Sequence, residues 1–143
     1  MPSPLSLSLL TLGVADVARA SAFYEALGLT RAADSNAQVA FFNTPGAILA
    51  LYGREALAED AEVPAAGDGF RGVAMAWNLQ SNEEVDKAVV RWVAAGGRLT
   101  RAAKTAFWGG YSAYVSDPDG HLWEIAHAPG FLWDATGRMT ARE

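Results

Sequence analysis

Two spacings of apolar residues alternate along this chain, and each change of spacing marks a change of element. Over residues 5–14 the period is two: Leu10, Leu12 and Val14 share one face of an extended segment, and Leu7, Leu9 and Thr11 share the other. At Asp16 the period lengthens to that of a helix. Val17, Ala20, Phe23, Tyr24 and Leu27 form one stripe, with Asp16 as the N-cap and Gly28 just past the end. Short strands are predicted at 29–33, 38–43 and 47–52, the last two joined by the turn Thr44-Pro45-Gly46. From Gly72 the order restarts. Val73, Met75, Trp77 and Leu79 alternate with Ala74, Ala76 and Asn78, and Ser81 with Glu84 reads as a capping box. The helix that follows carries Val85, Val89, Trp92 and Val93 on one side and ends at Gly96-Gly97. Strands at 99–103, 111–116 and 121–126 complete the second round.

The pentapeptide Leu29-Thr30-Arg31-Ala32-Ala33 recurs as Leu99-Thr100-Arg101-Ala102-Ala103, in the same place after each helix. With the repeated order of elements, this predicts an α+β fold of two βαβββ modules, residues 1–53 and 71–128. A linker at 54–70 joins them, with a short helix at 55–59 and a Pro/Gly-containing loop at 64–69, and a tail at 129–143 follows. One helix would cover one face of each four-stranded sheet. The uncovered faces carry Leu9, Thr11, Ile48 and Tyr52 in the first module and Ala74, Ala76, Asn78 and Glu124 in the second. If the modules pair into one curved mixed sheet, those residues line a cleft. The tail holds Phe131, Leu132 and Trp133, which predicts packing on the body or on a second subunit.

Composition narrows the function classes. A net charge of −5 without a run of Lys or Arg argues against a nucleic-acid partner. The chain has no cysteine, so it has neither a disulfide framework nor a thiolate nucleophile or ligand, which suits a reducing compartment. No stretch approaches the ~18–20 apolar residues that cross a bilayer. Residues 5–15 lack the basic flank of a secretion signal and lead straight into a helix start. A cytoplasmic protein is expected.

The candidate chemistry gathers at the last strand. Asp117-Pro118-Asp119-Gly120 is a tight turn in which Pro118 presets φ and Gly120 accepts a positive one. Behind it, Trp123 and Ile125 share one face, and Leu122, Glu124 and Ala126 the other. Glu124 is a lone carboxylate on an apolar strand, placed to act as a general base or a hydrogen-bonding anchor. Trp108-Gly109-Gly110-Tyr111 puts aromatics beside paired glycines, which suits a rim stacked on a flat ligand. Thr11, Tyr52 and Asn78 are polar groups on the uncovered faces, suited to orienting that ligand. Trp77, Trp92 and Trp123 read as core, and Asp117 and Asp119 as turn formers.

Gly13-Val14-Ala15-Asp16 with Ser21-Ala22-Phe23-Tyr24-Glu25-Ala26-Leu27-Gly28-Leu29 resembles the first strand-to-helix signature of the vicinal oxygen chelate superfamily. That group holds the glyoxalase, bleomycin-resistance and extradiol dioxygenase proteins. Asp117-Pro118-Asp119-Gly120-His121-Leu122-Trp123-Glu124 resembles its closing strand. In its metal-using members four side chains meet in the cleft, and the resemblance marks Leu9, Ala50, Val73 or Ala74, and Glu124. Three of those four positions are hydrocarbon here. His121 and His127 lie an odd number of residues from Glu124, on the opposite face of a regular strand. No metal and no other cofactor is therefore expected, and a metal-dependent lyase or dioxygenase is disfavoured. The resemblance implies a homodimer that binds a small organic molecule. The acidic net charge is compatible with a cationic aromatic ligand. A metal-free isomerase or lyase using Glu124 as base is the competing expectation, and a domain with a filled cleft, acting as an interaction module, is a third.

Overall fold

The computed structural model describes residues 4–141. The chain separates into two compact units, divided between Ala65 and Ala66.

In the first unit, strand β1 (Leu9–Val14) runs into helix α1 (Val17–Ala26). Asp16 caps that helix, its carboxylate accepting the Arg19 N–H at 3.1 Å. Strands β2 (Val39–Phe42) and β3 (Ile48–Gly53) follow, and β3 takes the centre of the sheet, parallel to β1 and antiparallel to β2. Leu12, Val14, Ala40, Phe42, Leu49 and Leu51 form the buried side of the sheet, as do Val17, Ala20, Phe23 and Tyr24 of α1. The Tyr24 ring packs 5.0 Å from Phe23, edge to face, and 6.5 Å from Phe42. The strand predicted at 29–33 is reduced to a single bridge between Arg31 and Phe42. The expected connector at 54–70 opens with helix α2 (Arg54–Ala61), which packs on β1 and β3 of this unit.

The second unit has the full predicted order: β4 (Met75–Asn78), α3 (Asn82–Ala94), β5 (Arg98–Thr105), β6 (Tyr111–Ser116) and β7 (Leu122–His127). Its strands lie in the order β4-β7-β6-β5, with β4 parallel to β7 and the other pairs antiparallel. In both units the strand before the helix therefore pairs in parallel with the last strand, as two copies of one module require. Ser81 caps α3, its hydroxyl accepting the Glu84 N–H at 3.1 Å, while the Glu84 carboxylate accepts the Gln80 N–H at 2.8 Å. Val85, Ala88 and Trp92 of α3 are buried, as are Ala113, Val115 and Ile125 of the sheet. The Trp92 indole N–H donates to the Ser116 carbonyl at 2.8 Å, and its ring sits 5.7 Å from that of Trp123. Gly97 makes this bond sterically feasible: a Cβ there would stand 2.2 Å from the Trp92 indole nitrogen and 2.9 Å from the Ser116 oxygen.

The tail forms a small hairpin, β8 (Leu132–Trp133) with β9 (Met139–Thr140). Phe131, Leu132 and Trp133 remain 42%, 49% and 37% exposed, so these side chains are partly covered rather than buried. Among the described residues no helix is long and apolar enough to cross a membrane.

Candidate functional site

The second sheet has one face under α3 and one turned away from it, and the Asp117 turn sets which side chains of β7 fall on which. Asp117 is 1% exposed, and its Oδ1 accepts the N–H groups of Asp119 at 3.0 Å and His121 at 2.9 Å. Gly120 takes φ +87°. With the entry to β7 fixed in this way, Trp123 and Ile125 go to the α3 side, and Leu122, Glu124 and Ala126 to the other.

Strand register then builds a row across that outer face: Ala76 on β4, Glu124 on β7, Tyr114 on β6 and Arg101 on β5 are successive neighbours. Tyr114 and Glu124 stand directly opposite each other across β6 and β7. Partial burial raises the Tyr114 pKa above 10.0, and the neighbouring Glu124 carboxylate adds to the rise, while the Arg101 charge opposes it. The phenol therefore keeps its proton at neutral pH, beside the Glu124 carboxylate. The Arg101 guanidinium stands 5.0 Å over the Tyr114 ring, a cation–π placement. Its Nη1 donates to the carbonyls of Ala102 and Ser112, both at 3.1 Å, and its Nη2 to the Ser112 hydroxyl at 3.0 Å. Cation, aromatic ring and carboxylate thus lie in sequence across three adjacent strands.

Of the residues singled out from the sequence, Glu124 lies in this row, and Asn78, half-buried, lies two residues along β4 opposite Ala126. Trp108 sits in the turn between β5 and β6, closed by Ala106 N–H to Gly110 carbonyl at 2.7 Å. It is 54% exposed, and its indole lies against Gly110, where a Cβ would come within 1.9 Å of the ring. Tyr111 does not join Glu124. It has the parity of Ala113 and Val115, and its hydroxyl donates to Asp86 of α3 at 2.6 Å, which raises its pKa. Strand pleating separates the two tyrosines of β6, and Tyr114 is the one on the Glu124 side. Thr11 and Tyr52 belong to the first sheet, half-buried on the face turned away from α1, in rows with Ala50 and Gly13.

Arg101, Tyr114 and Ser112 were not legible as site residues in the same way. The alternation of Ser112, Tyr114 and Ser116 with Ala113 and Val115 does carry a polar face for β6. Arg101 had no such signal. Counting by twos from Leu99, which pairs with Val115, sends it to the α3 side, yet it pairs with Tyr114 because the register slips on both sides of it.

The donor chemistry does not suit a metal. Leu9, Ala50 and Val73 or Ala74 offer hydrocarbon where the resemblance places ligands, and Val73 precedes β4 and is 56% exposed. Among the described residues no group of three or more His, Asp or Glu could hold a metal ion. The His127 Nδ1 lies 3.1 Å from the Leu79 carbonyl, away from Glu124.

Two copies of a module whose first strand pairs in parallel with its last, and a carboxylate at the fourth position after the turn glycine, define a class of protein. Residues 6–125 match the glyoxalase/bleomycin resistance protein/dioxygenase superfamily, and the chain belongs to it. A glyoxalase-related enzyme from Fulvimarina pelagi is 36% identical, with 94% of this chain and 97% of that one covered and a TM-score of 0.84. A glyoxalase/bleomycin resistance protein/dioxygenase from Nocardioides is 29% identical over 92% of each chain, with a TM-score of 0.72. A lactoylglutathione lyase from Agrobacterium tumefaciens shares the fold at 23% identity and a TM-score of 0.67, over 89% of this chain and 96% of that one. No curated protein matches the chain.

Proposed function

We propose that this protein binds a small organic molecule on the outer face of its second sheet, with Glu124 as the anchoring group and without a metal. The observation that carries the reading is the Glu124 carboxylate set opposite the Tyr114 phenol on a sheet face that no helix of its unit covers. Glu124 makes no ion pair with a Lys or Arg of the described residues, so its carboxylate is not taken up by a structural salt bridge. Asn78 and Trp108 contribute a hydrogen-bonding group and a stacking surface, and Thr11 and Tyr52 are the corresponding candidates of the first sheet.

The same pairing of carboxylate and phenol supports a second reading, in which the bound molecule is also turned over. A carboxylate beside a protonated phenol is a competent general base for an isomerase or lyase, and the phenol can stabilise the oxyanion that forms. Glu124→Gln separates the two. It keeps shape and much of the hydrogen bonding, so turnover lost with binding retained assigns catalysis to Glu124. Turnover retained removes Glu124 as the essential base, and binding unchanged in Glu124→Ala, which keeps neither shape nor hydrogen bonding, removes it from the site altogether. Native mass spectrometry of the purified protein supplies the ligand for that test and reports subunit number, for which a homodimer is expected.

A further inference from the structure

We infer that the molecule held on this face carries an anionic group, a carboxylate in the simplest case, and that Arg101 receives it. The inference rests on the binding reading above and goes further by naming the charge of the ligand. Register slips flank Arg101 between Leu99 and Arg101 and again between Arg101 and Lys104. Bulges re-aim a side chain at a cost to the ladder, and here they bring a cation from the α3 side to the outer face, where no helix needs it. The guanidinium is then fixed. Ser112 and the Ala102 carbonyl hold it from one side and the Tyr114 ring lies 5.0 Å beneath it.

Those three hydrogen bonds use at most three of the five guanidinium N–H groups, so at least two remain for a ligand. No carboxylate of the described residues forms an ion pair with Arg101. A half-buried, immobilised fork of this kind matches a carboxylate with little further loss of entropy. Although the whole chain carries −5, the local field at this point is that of one cation, and the cationic ligand that the net charge suggested would be repelled from it. Glu124 lies two strands away, about 10 Å at the usual strand spacing. The ligand therefore presents its anionic end to Arg101 and a neutral or proton-donating end to Glu124.

The test uses three carboxylates of growing length, benzoate, phenylacetate and 3-phenylpropionate, each against its neutral amide, followed by amide chemical shifts of the full-length protein at pH 7. At least one acid should shift the Ser112 and Tyr114 resonances and bind about tenfold or more tightly than its amide, the worth of one charge-assisted hydrogen bond. Arg101→Met should abolish that preference, whereas Ser112→Ala, which leaves the charge in place, should retain it. Equal binding of acids and amides on this face would overturn the Arg101 assignment and leave the binding reading standing. Absence of any shift on this face with all six compounds would overturn both. The acid–amide comparison on the unmodified protein decides the matter even if Arg101→Met fails to fold.

Discussion

The same five residues, Leu-Thr-Arg-Ala-Ala, follow the helix of each unit and end in different structures. At Leu29 to Ala33 they make one bridge, Arg31 to Phe42, whereas Leu99 to Ala103 lie inside the eight-residue strand β5. Local preference is identical, so the difference comes from what the neighbouring chain does with its hydrogen bonds. In the first unit the turn that follows is supplied with side-chain acceptors. Asn36 Oδ1 takes the N–H groups of Gln38 and Val39 at 2.8 and 3.0 Å, and Ser35 Oγ takes that of Phe41 at 2.9 Å. Donors that a longer strand would have paired are already satisfied, and the ladder stops. Arg31 stays exposed, its guanidinium donating to the Asn36 carbonyl. In the second unit the chain runs on through Lys104 and Thr105 to the Ala106–Gly110 turn, and the whole segment pairs with β6. A bulged strand there turns Arg101 onto the outer face. Identical pentapeptides thus yield a solvated arginine in one unit and a clamped one in the other.

That contrast can be broken from several directions. The largest effect is expected at Gly97, at the entry to β5, where the first copy has Leu27. Gly97→Ala drives a Cβ into the Trp92 indole and the Ser116 carbonyl. Overpacking and the loss of a buried hydrogen bond should cost about 2–4 kcal/mol, read by chemical denaturation. A stability within 0.5 kcal/mol of the parent, on the order of a surface substitution, would mean that the Trp92 tie does not hold β5 in place.

Next comes the paired truncation of the two arginines. Arg101→Ala removes hydrogen bonds to Ser112 and the stack on Tyr114, and should cost about 1–2 kcal/mol. Arg31→Ala at the matching position should cost under ~0.5 kcal/mol, as exposed residues usually do. Equal costs would show that the two copies are energetically alike despite their different pairing. Smaller again is the effect of Asn36→Ala, which withdraws the acceptor for two N–H groups at the first copy's turn. About 1 kcal/mol is expected, with faster amide exchange at Gln38 and Val39 and none at β5.

The finest distinction lies between the two faces of β6. Tyr111 is raised above 10.0 chiefly by its bond to Asp86, and Tyr114 first by burial and then by Glu124. A raised tyrosine pKa stabilises the fold below the ordinary value of about 10 and loses that contribution as pH climbs through the folded-state value. In an absorbance titration at alkaline pH, Asp86→Asn should bring one tyrosine down and Glu124→Gln another. If Glu124→Gln moves no tyrosine, the Glu124 carboxylate does not act on Tyr114 in solution, and the pairing on which the functional reading stands is lost.

By itself the sequence determined the order of elements, the caps at Asp16 and Ser81, the turn at Asp117 and the face on which Glu124 and Asn78 lie. All of these rest on spacing within a few residues, where pleat and helix period act directly. Membership of the superfamily was legible for the same reason, since its two signatures are local. Only the tertiary structure decided that Tyr114 and not Tyr111 meets Glu124, because the choice depends on which side of β6 the helix α3 covers. It also decided that one Leu-Thr-Arg-Ala-Ala becomes a strand and the other a bridge, and that Arg101 crosses to the outer face. Those outcomes depend on cross-strand register, and register is set by hydrogen-bond partners distant in sequence, which residue spacing does not encode.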